Sequence, residues 1–582
     1  MLKLWFAQDC EPLWCLSAIF FHVHTIRPHQ PLLDASLDFT IQTAYLMLSH
    51  TRRGYATGCF ALALTILILF PTDRLNRASY HPTQAPGNSV AQDTACQIWT
   101  DWVAPAISHH HLDQSKRPIL GDAAVFGKAD QCSSSRSRLD VYMHSQHHNF
   151  TKVKWGQLQH RCASGGHGPT EGYLNNVREI WQQPPKFTST EEEDERNHHS
   201  NQRERTAIVL RTWDNYQYTE ARLVWLRALI SETSLHSHGH FQVFFLVNIK
   251  DGNMQLEEDT VAYEQLLQQS VPMEFRDMAL LYNERTLRKW YPKVEEHRAQ
   301  DQMYQALQIF SHQFAQFDFI WQLEMDLRVT GHMYDTLTSA TTFAVDQPRR
   351  NLWSRNGRFY LPELFDYSYQ KFAISVDSEQ SSSEVWGPVH TTDFTPKGPP
   401  VRTKEDSTWG VGEQADLISF MPLIDPIGTD WIYEDSVHGF ADGLATPRRA
   451  SFVSMTRSSR SLLRLVHQAQ RERGQWVVSE ATLETFALLH GLKAVFVPHP
   501  VSFTSNITAQ ELDEAIHRGP QHSKAGGKSP SLLYTKHGYV DGPWPASSYW
   551  WSGNDAGKIW HAYLQGECLP PMFLHPVKDE NS

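Results

Sequence analysis

Two carboxylates separated by one residue, Glu324 and Asp326, close an apolar run in the segment Phe317-Asp-Phe-Ile-Trp-Gln-Leu-Glu-Met-Asp-Leu-Arg-Val-Thr-Gly-His-Met-Tyr-Asp335. Side chains two apart on a strand stand on one face. That alternation brings the two carboxylates together and turns Trp321, Leu323 and Met325 into a core. Paired carboxylates at a strand end suit a hard divalent cation such as Mn²⁺ or Mg²⁺. Such a cation can bridge to the diphosphate of a nucleotide sugar. The structural alternative is a pair held by Arg328 or capping the strand. His499, between Pro498 and Pro500 after an apolar run, is a candidate third ligand, because a neutral imidazole complements two carboxylates around Mn²⁺. A purely structural histidine is the alternative.

Other residues have chemistry to offer. Glu434 and Asp435, in Trp431-Ile-Tyr-Glu-Asp-Ser-Val-His438, could position or deprotonate an acceptor hydroxyl, or belong to a solvated turn. Glu480 and Glu484 lie one helical turn apart and could share a site, or serve as favourable charges near a helix start. Arg211 and Trp213 could meet the phosphate or base of a nucleotide, or be a surface charge and a packing ring. Asp335 reads either as a donor-site residue or as a helix N-cap. Trp550, Trp551 and Ser552 could wall a donor or acceptor site, or form a core aromatic pair.

The elements that must position these groups are legible from periodicity. Thr206–Trp213 reads as a buried strand, and residues 219–232 as a helix with Leu223, Leu226 and Ile230 on one face. A strand at Phe241–Asn248 follows, then a polar helix over 257–269, and a helix over 301–316 that leads into the strand carrying Glu324. This β-α-β-α order predicts an α/β fold with a mostly parallel sheet and helices on both faces. Ligands of such sheets bind beyond the carboxyl ends of the strands. A later helix begins at Ser479, a candidate N-cap, ends at Gly491 and runs into the strand Ala494–Val497.

The chain has 582 residues, a hydrophobic fraction of 41 %, 19 Trp and a net charge of −12. Without a basic stripe, nucleic acid is not expected as a partner. The 31 His include clusters such as Ser108-His-His-His111, which lack the spaced Cys or carboxylate partners of a metal site. Tyr55–Phe70 is almost wholly apolar, preceded by Arg52 and Arg53 and followed by Pro71. It reads as a signal anchor with a cytoplasmic N-terminus, a signal-peptide core or a buried helix being the alternatives. The expected organisation is a tail over 1–54, an anchor over 55–71, a largely irregular stem over 72–200, and a lumenal domain over 201–578 with loop insertions at 378–407 and 519–531. Sequons at Asn149 and Asn506 agree with a secretory route, in the Golgi or ER lumen. Cys96, Cys132, Cys162 and Cys568 allow two disulfides, with no spacing that fixes their pairing.

The segments Asp318-Phe-Ile-Trp-Gln-Leu-Glu-Met-Asp326, Ser479-Glu-Ala-Thr-Leu-Glu-Thr-Phe486, His490-Gly-Leu-Lys-Ala-Val-Phe-Val-Pro-His-Pro500 and Tyr549-Trp-Trp-Ser-Gly553 resemble a fungal family catalogued as domain of unknown function 3405, over about residues 170–578. That resemblance carries no activity with it. A local resemblance to the fungal α-mannosyltransferases that build mannan does. Those enzymes carry a Trp-Arg-Val-Glu-Pro strand segment followed by Tyr-Asp, and Trp321-Gln-Leu-Glu324 and Tyr334-Asp335 take similar places here. Gln322 stands in place of the Arg, Met325 in place of the Pro, and Asp326 adds a carboxylate. The resemblance implies a GT-A-like (Rossmann-like) fold and a type II Golgi transferase. The expected function is therefore metal-dependent transfer of a sugar from a GDP- or UDP-sugar to a glycan or glycoprotein. A glycoside hydrolase pairing Glu324 or Asp326 with a distant acid such as Asp435, and a non-catalytic lumenal binding protein, are the alternatives.

Overall fold

Seven strands in chain order build the central sheet: β1 (Thr206–Trp213), β2 (Phe241–Asn248), β3 (Ala279–Tyr282), β4 (Phe319–Glu324), β5 (Leu417–Ser419), β6 (Thr456–Ser459) and β7 (Ala494–Phe496). They are seen in a computed structural model that describes residues 94–102, 106–143, 148–165, 204–379, 386, 388–389, 391–400, 407–427, 431–453, 455–517 and 544–578. All of these lie in the compact unit Pro86–Ser582. The expected tail, the anchor over 55–71 and the loop over 519–531 fall outside the described residues. Among the described residues, no helix is long and apolar enough to cross a membrane.

The sheet order is β3-β2-β1-β4-β6-β5-β7. β1 runs parallel to both β2 and β4, and β2 parallel to β3. β6 alone is reversed, antiparallel to β4 and β5, while β7 is parallel to β5. Strands buried on both faces need unbroken apolar runs. Ala207–Leu210 of β1 and Val243–Val247 of β2 supply them and are fully or almost fully buried. Each such Val, Leu or Ile contributes about 1.5–3 kcal/mol relative to exposure.

Six helices matter for the site: α1 (Trp155–Ala163), α2 (Glu220–Ile230), α3 (Tyr304–Gln313), α4 (Met333–Val345), α5 (Arg460–Gln468) and α6 (Ser479–His490). α3, α5 and α6 pack together on the face where Gln322 of β4 reaches Met303 Sδ at 3.7 Å. α4 covers the opposite face, where Arg457 of β6 donates to Thr341 Oγ1 (3.2 Å). The expected mostly parallel sheet with flanking helices is present, and the sheet is mixed through β6.

Residues 94–165 were expected to be part of an irregular stem; those described there are folded onto the domain. Gln159 of α1 donates to Val243 O (2.7 Å) and accepts from Val243 N–H (2.8 Å). Its amide thereby stands in for a strand partner where β3, which pairs only from Phe245 onward, does not reach. Disulfides Cys96–Cys162 and Cys132–Cys568 tie this segment together and to the C-terminal end. Gly491 ends α6 in the left-handed region at φ 68, as expected for a glycine helix terminator. Ser479 does not cap α6: its hydroxyl accepts from Met303 N–H (2.9 Å) and so fastens the starts of α3 and α6 to each other.

Candidate metal and donor site

The chain leaves β1 for β2 and β3 on one side and returns to β4 on the other. The carboxyl ends of β1 and β4 therefore form the switch point at which open α/β sheets bind ligands. The parallel register pairs Arg211 with Glu324 there, and the guanidinium donates to Glu324 Oε1 at 2.7 Å. Strand geometry ends at Glu324. Leu327 N–H donates to Glu324 O (3.2 Å) and closes a turn, with Met325 and Leu327 buried. The expected strand alternation through Asp326 is thus replaced by a turn that folds Asp326 back beside Glu324.

A segment from the far end of the chain completes the group. Phe573–Leu574 pairs antiparallel with Arg328–Val329, and Val577 N–H donates to Asp326 O (2.8 Å). This threads His575 between the carboxylates. Its Nε2 lies 3.1 Å from Glu324 Oε2 and 3.4 Å from Asp326 Oδ1. Its Nδ1 faces Trp550 O at 2.5 Å. A carbonyl can only accept, so the proton sits on Nδ1 and Nε2 is directed at the carboxylates, the usual outer-shell arrangement of a ligating imidazole. Burial opposes the charged ring, but the Asp326 and Glu324 carboxylates outweigh it and raise His575 to about 10. The ligand atoms of Glu324, Asp326 and His575 lie within 4.8 Å of one another. Two carboxylates and one imidazole are a donor set that could hold a divalent cation.

Of the other expected residues, Glu480 comes within electrostatic reach of Glu324, and Glu484 within reach of Glu480. Glu480 and Glu484 share one face of α6, Glu480 half-buried and Glu484 buried. Burial raises Glu480 to about 7, with Glu324 and Asp301 pushing the same way and Arg211 opposing. Burial, and then Glu480, raises Glu484 well above the carboxylate range. Two buried tyrosines lie within electrostatic reach of these groups. Burial is the main cause that raises Tyr304, which also feels Glu484, Glu480 and Arg211. Burial and then Glu324 raise Tyr549.

His499 does not join the metal group. It is buried edge-to-face against Phe420, Tyr549 and Phe573, and burial lowers it to about 3. Asp335 lies in the first turn of α4, where the cap is His332, whose ring nitrogen accepts from Asp335 N–H. The charges around Asp335 are those of His332, Lys128 and His236. Glu434 and Asp435 lie on a turn, with Glu434 O accepting from Arg448 (2.7 Å) and Asp435 exposed. Trp213 is 39 % exposed and Trp551 40 %. Trp213 meets Tyr216 edge-to-face at 5.0 Å, and the Tyr216 hydroxyl donates to Met325 O (3.3 Å). Trp550 is buried against Trp544 and Phe452. His575 is the residue that sequence reasoning missed. Its setting, an apolar Met572-Phe-Leu run followed by His-Pro, is the pattern that had singled out His499.

No curated protein and no solved structure matches the chain. A family model does, over residues 123–579, which takes in α1 and the Cys132–Cys568 disulfide as well as every residue of the metal group. The chain belongs to the family described as protein of unknown function (DUF3405).

Proposed function

We propose that this protein is a metal-dependent glycosyltransferase with a GT-A-like fold, using a nucleotide-sugar donor and a glycan or glycoprotein acceptor. The observation that carries the reading is the convergence of Glu324, Asp326 and His575 beyond the carboxyl ends of β1 and β4. When bound there, Mn²⁺ or Mg²⁺ would neutralise the charge of a leaving diphosphate. Glu324 is held in place by Arg211 and His575 by the Trp550 carbonyl, so the ligand atoms are preorganised. Exposed Trp213, two residues beyond Arg211, offers a ring to a nucleobase or sugar. Glu480, half-buried on the Glu324 side, is the candidate to take a proton from an acceptor hydroxyl at neutral pH.

The same geometry favours transfer over hydrolysis. The ligand atoms of Glu324 and Asp326 lie within 4.8 Å, closer than the roughly 5–9.5 Å that separates the paired acids of glycosidases. The more distant Asp435 is exposed on its turn. Two disulfides join all four cysteines of the described residues, which supports an oxidising, secretory compartment. The anchor expected over 55–71 would hold the domain on the lumenal side of an ER or Golgi membrane.

Thermal stabilisation of the full chain by GDP or UDP, with and without Mn²⁺, tests the reading. A Mn²⁺-dependent rise in melting temperature that disappears in Asp326→Ala is the expected result. No rise with either nucleotide would refute it and leave a non-catalytic binding protein.

A further inference from the structure

Both sequons, Asn149-Phe-Thr151 and Asn506-Ile-Thr508, lie in described parts of the folded domain, and the fold decides whether a glycan can be carried there. A glycan is bulky and hydrated, so its asparagine must stand at the surface. Asn149 and Asn506 are both exposed and both lie outside helices and strands. Asparagines that the fold uses internally are of another kind. Asn283 donates from Nδ2 to Asp251 O (3.0 Å) and Met254 O (2.9 Å), and Asn356 to Ala494 O (2.8 Å). Neither of those has Ser or Thr two residues on.

At Asn149 the local turn holds the amide through its oxygen. Oδ1 accepts from Thr151 N–H (3.1 Å) and from the Thr151 hydroxyl (2.6 Å). Neither bond engages Nδ2, the atom that carries a glycan. Such a turn uses three consecutive residues and forms locally. The next residue, Phe150, is fully buried. It stacks on Trp155 with ring centroids 6.2 Å apart and meets Trp99 edge-on at 5.0 Å. Asn149 is thus an exposed residue fastened to the aromatic core by its neighbour.

At Asn506 the acceptor threonine has a second duty. Thr508 caps α7 (Ala509–Ile516). Its hydroxyl accepts from Glu511 N–H (3.2 Å) and donates to Glu511 Oε2 (2.8 Å). Asn506 lies two residues ahead of this cap, in the loop that follows the bridge between Phe503 and Ser547. The Thr508 hydroxyl is committed to the helix in the folded chain, so addition at Asn506 precedes closure of the cap.

We infer that Asn149 and Asn506 both carry N-linked oligosaccharides. The donor class is a polyprenyl diphosphate oligosaccharide. A bond forms between Nδ2 and the sugar C1, the bond from C1 to the diphosphate oxygen breaks, and one Nδ2 proton leaves with the diphosphate. The inference rests on the secretory compartment read from the two disulfides, and not on the metal group.

The test is peptide mass spectrometry of the full chain, purified from a eukaryotic secretory host, before and after peptide N-glycosidase. Alkylation of Cys96, Cys132, Cys162 and Cys568 without reductant is read on the same sample. Both sequon peptides should appear only after the glycosidase, with Asn149 and Asn506 converted to Asp. Asn149→Gln and Asn506→Gln should each remove one glycan. Thr151→Ser and Thr508→Ser keep a hydroxyl and should retain the glycans, whereas Thr151→Ala and Thr508→Ala should lose them. The serine and glutamine variants carry the comparison if an alanine variant fails to fold. An unmodified asparagine at one sequon overturns the assignment of that site. Two unmodified asparagines in a chain whose four cysteines resist alkylation overturn the glycan inference and leave the secretory and transferase readings standing. Two unmodified asparagines with alkylated cysteines overturn the secretory compartment as well.

Discussion

His575 stands 251 residues from Glu324 in the chain, yet its Nε2 lies 3.1 Å from Glu324 Oε2. The two ends of the fold meet because the C-terminal segment pairs with Arg328–Val329, directly after the turn that holds Asp326. The candidate metal group is therefore a product of tertiary topology rather than of one local motif.

Removing the imidazole tests that assembly. His575→Ala should weaken Mn²⁺ binding at least tenfold, and Asp326→Ala at least as much, since losses at supporting positions alone reach about 10–100-fold. Titration calorimetry, or the Mn²⁺ resonance signal of the full chain, reads this. His499→Leu serves as control, with affinity expected within about threefold of the unaltered protein. Loss of binding in His499→Leu with retention in His575→Ala would reverse the ligand assignment.

The strap that carries His575 is fastened by Cys132–Cys568, across a sequence separation of 436. Leu569 also exchanges backbone hydrogen bonds with Ser133 (3.0 Å each way). Cys132→Ser with Cys568→Ser should destabilise the domain by about 2–5 kcal/mol. It should also weaken Mn²⁺ binding, because the loosened strap no longer fixes His575. Chemical unfolding with and without Mn²⁺ measures both effects. Unchanged Mn²⁺ affinity would show that pairing with Arg328–Val329 positions the strap unaided.

How much of this could be read from the residues depends on the range of the interaction. β1, β2 and β4 were legible because their apolar runs are local and the sheet buries both faces. Gly491 was legible because a left-handed terminator favours glycine. That Glu480 comes within electrostatic reach of Glu324 was not legible, since no spacing encodes the packing of α6 against α5. β6, the reversed strand, reads Thr-Arg-Ser-Ser and lacks the apolar signature of a strand, so the sheet's mixed character was hidden. His499 and His575 both follow an apolar run and stand before a proline, so local sequence does not separate them. What separates them is burial among rings in one case and two carboxylates in the other, and both are tertiary facts. The segment 94–165 reads as irregular because its ordering comes from disulfides and from Gln159 rather than from periodic apolar faces.

Acid should unfold this domain through its buried histidines. Burial lowers His467 and His499 to about 3 and His490 to about 4. His467 is held by the Tyr291 hydroxyl at 2.8 Å from Nδ1. In the unfolded chain each binds a proton near pH 6.5, whereas in the folded chain each does not. Below pH 6.5 the unfolded state therefore binds more protons, and stability falls as pH falls from about 6.5 toward 4. Each histidine contributes a slope of up to about 1.4 kcal/mol per pH unit. Denaturant midpoints between pH 7 and pH 4.5 measure it, and His467→Gln should flatten the curve. Glu480 and Glu484, raised by burial, gain stability over the same window and offset part of the slope. The deciding quantity is therefore the difference between the two proteins: identical profiles for His467→Gln and the unaltered protein would contradict neutral burial of His467.

The last prediction concerns the ion pair beneath the strap. Arg138 Nε and Nη2 donate to Glu232 Oε1 and Oε2 at 2.6 and 2.9 Å, and both side chains are almost fully buried. Arg138 also donates to Val329 O, in the two-residue strand that pairs with Phe573–Leu574. Glu232 Oε2 accepts Met333 N–H at the start of α4 (2.8 Å). The pair thus joins the N-terminal segment, the strand after Asp326 and the first turn of α4. Arg138→Met leaves a buried carboxylate without its partner and should cost about 3–5 kcal/mol. Arg138→Met with Glu232→Gln should recover part of that loss, because the uncompensated charge is gone. Urea unfolding of the two variants and the unaltered protein decides it. If the double variant is no more stable than Arg138→Met, the loss lies in the hydrogen bonds to Val329 and Met333 rather than in the stranded charge.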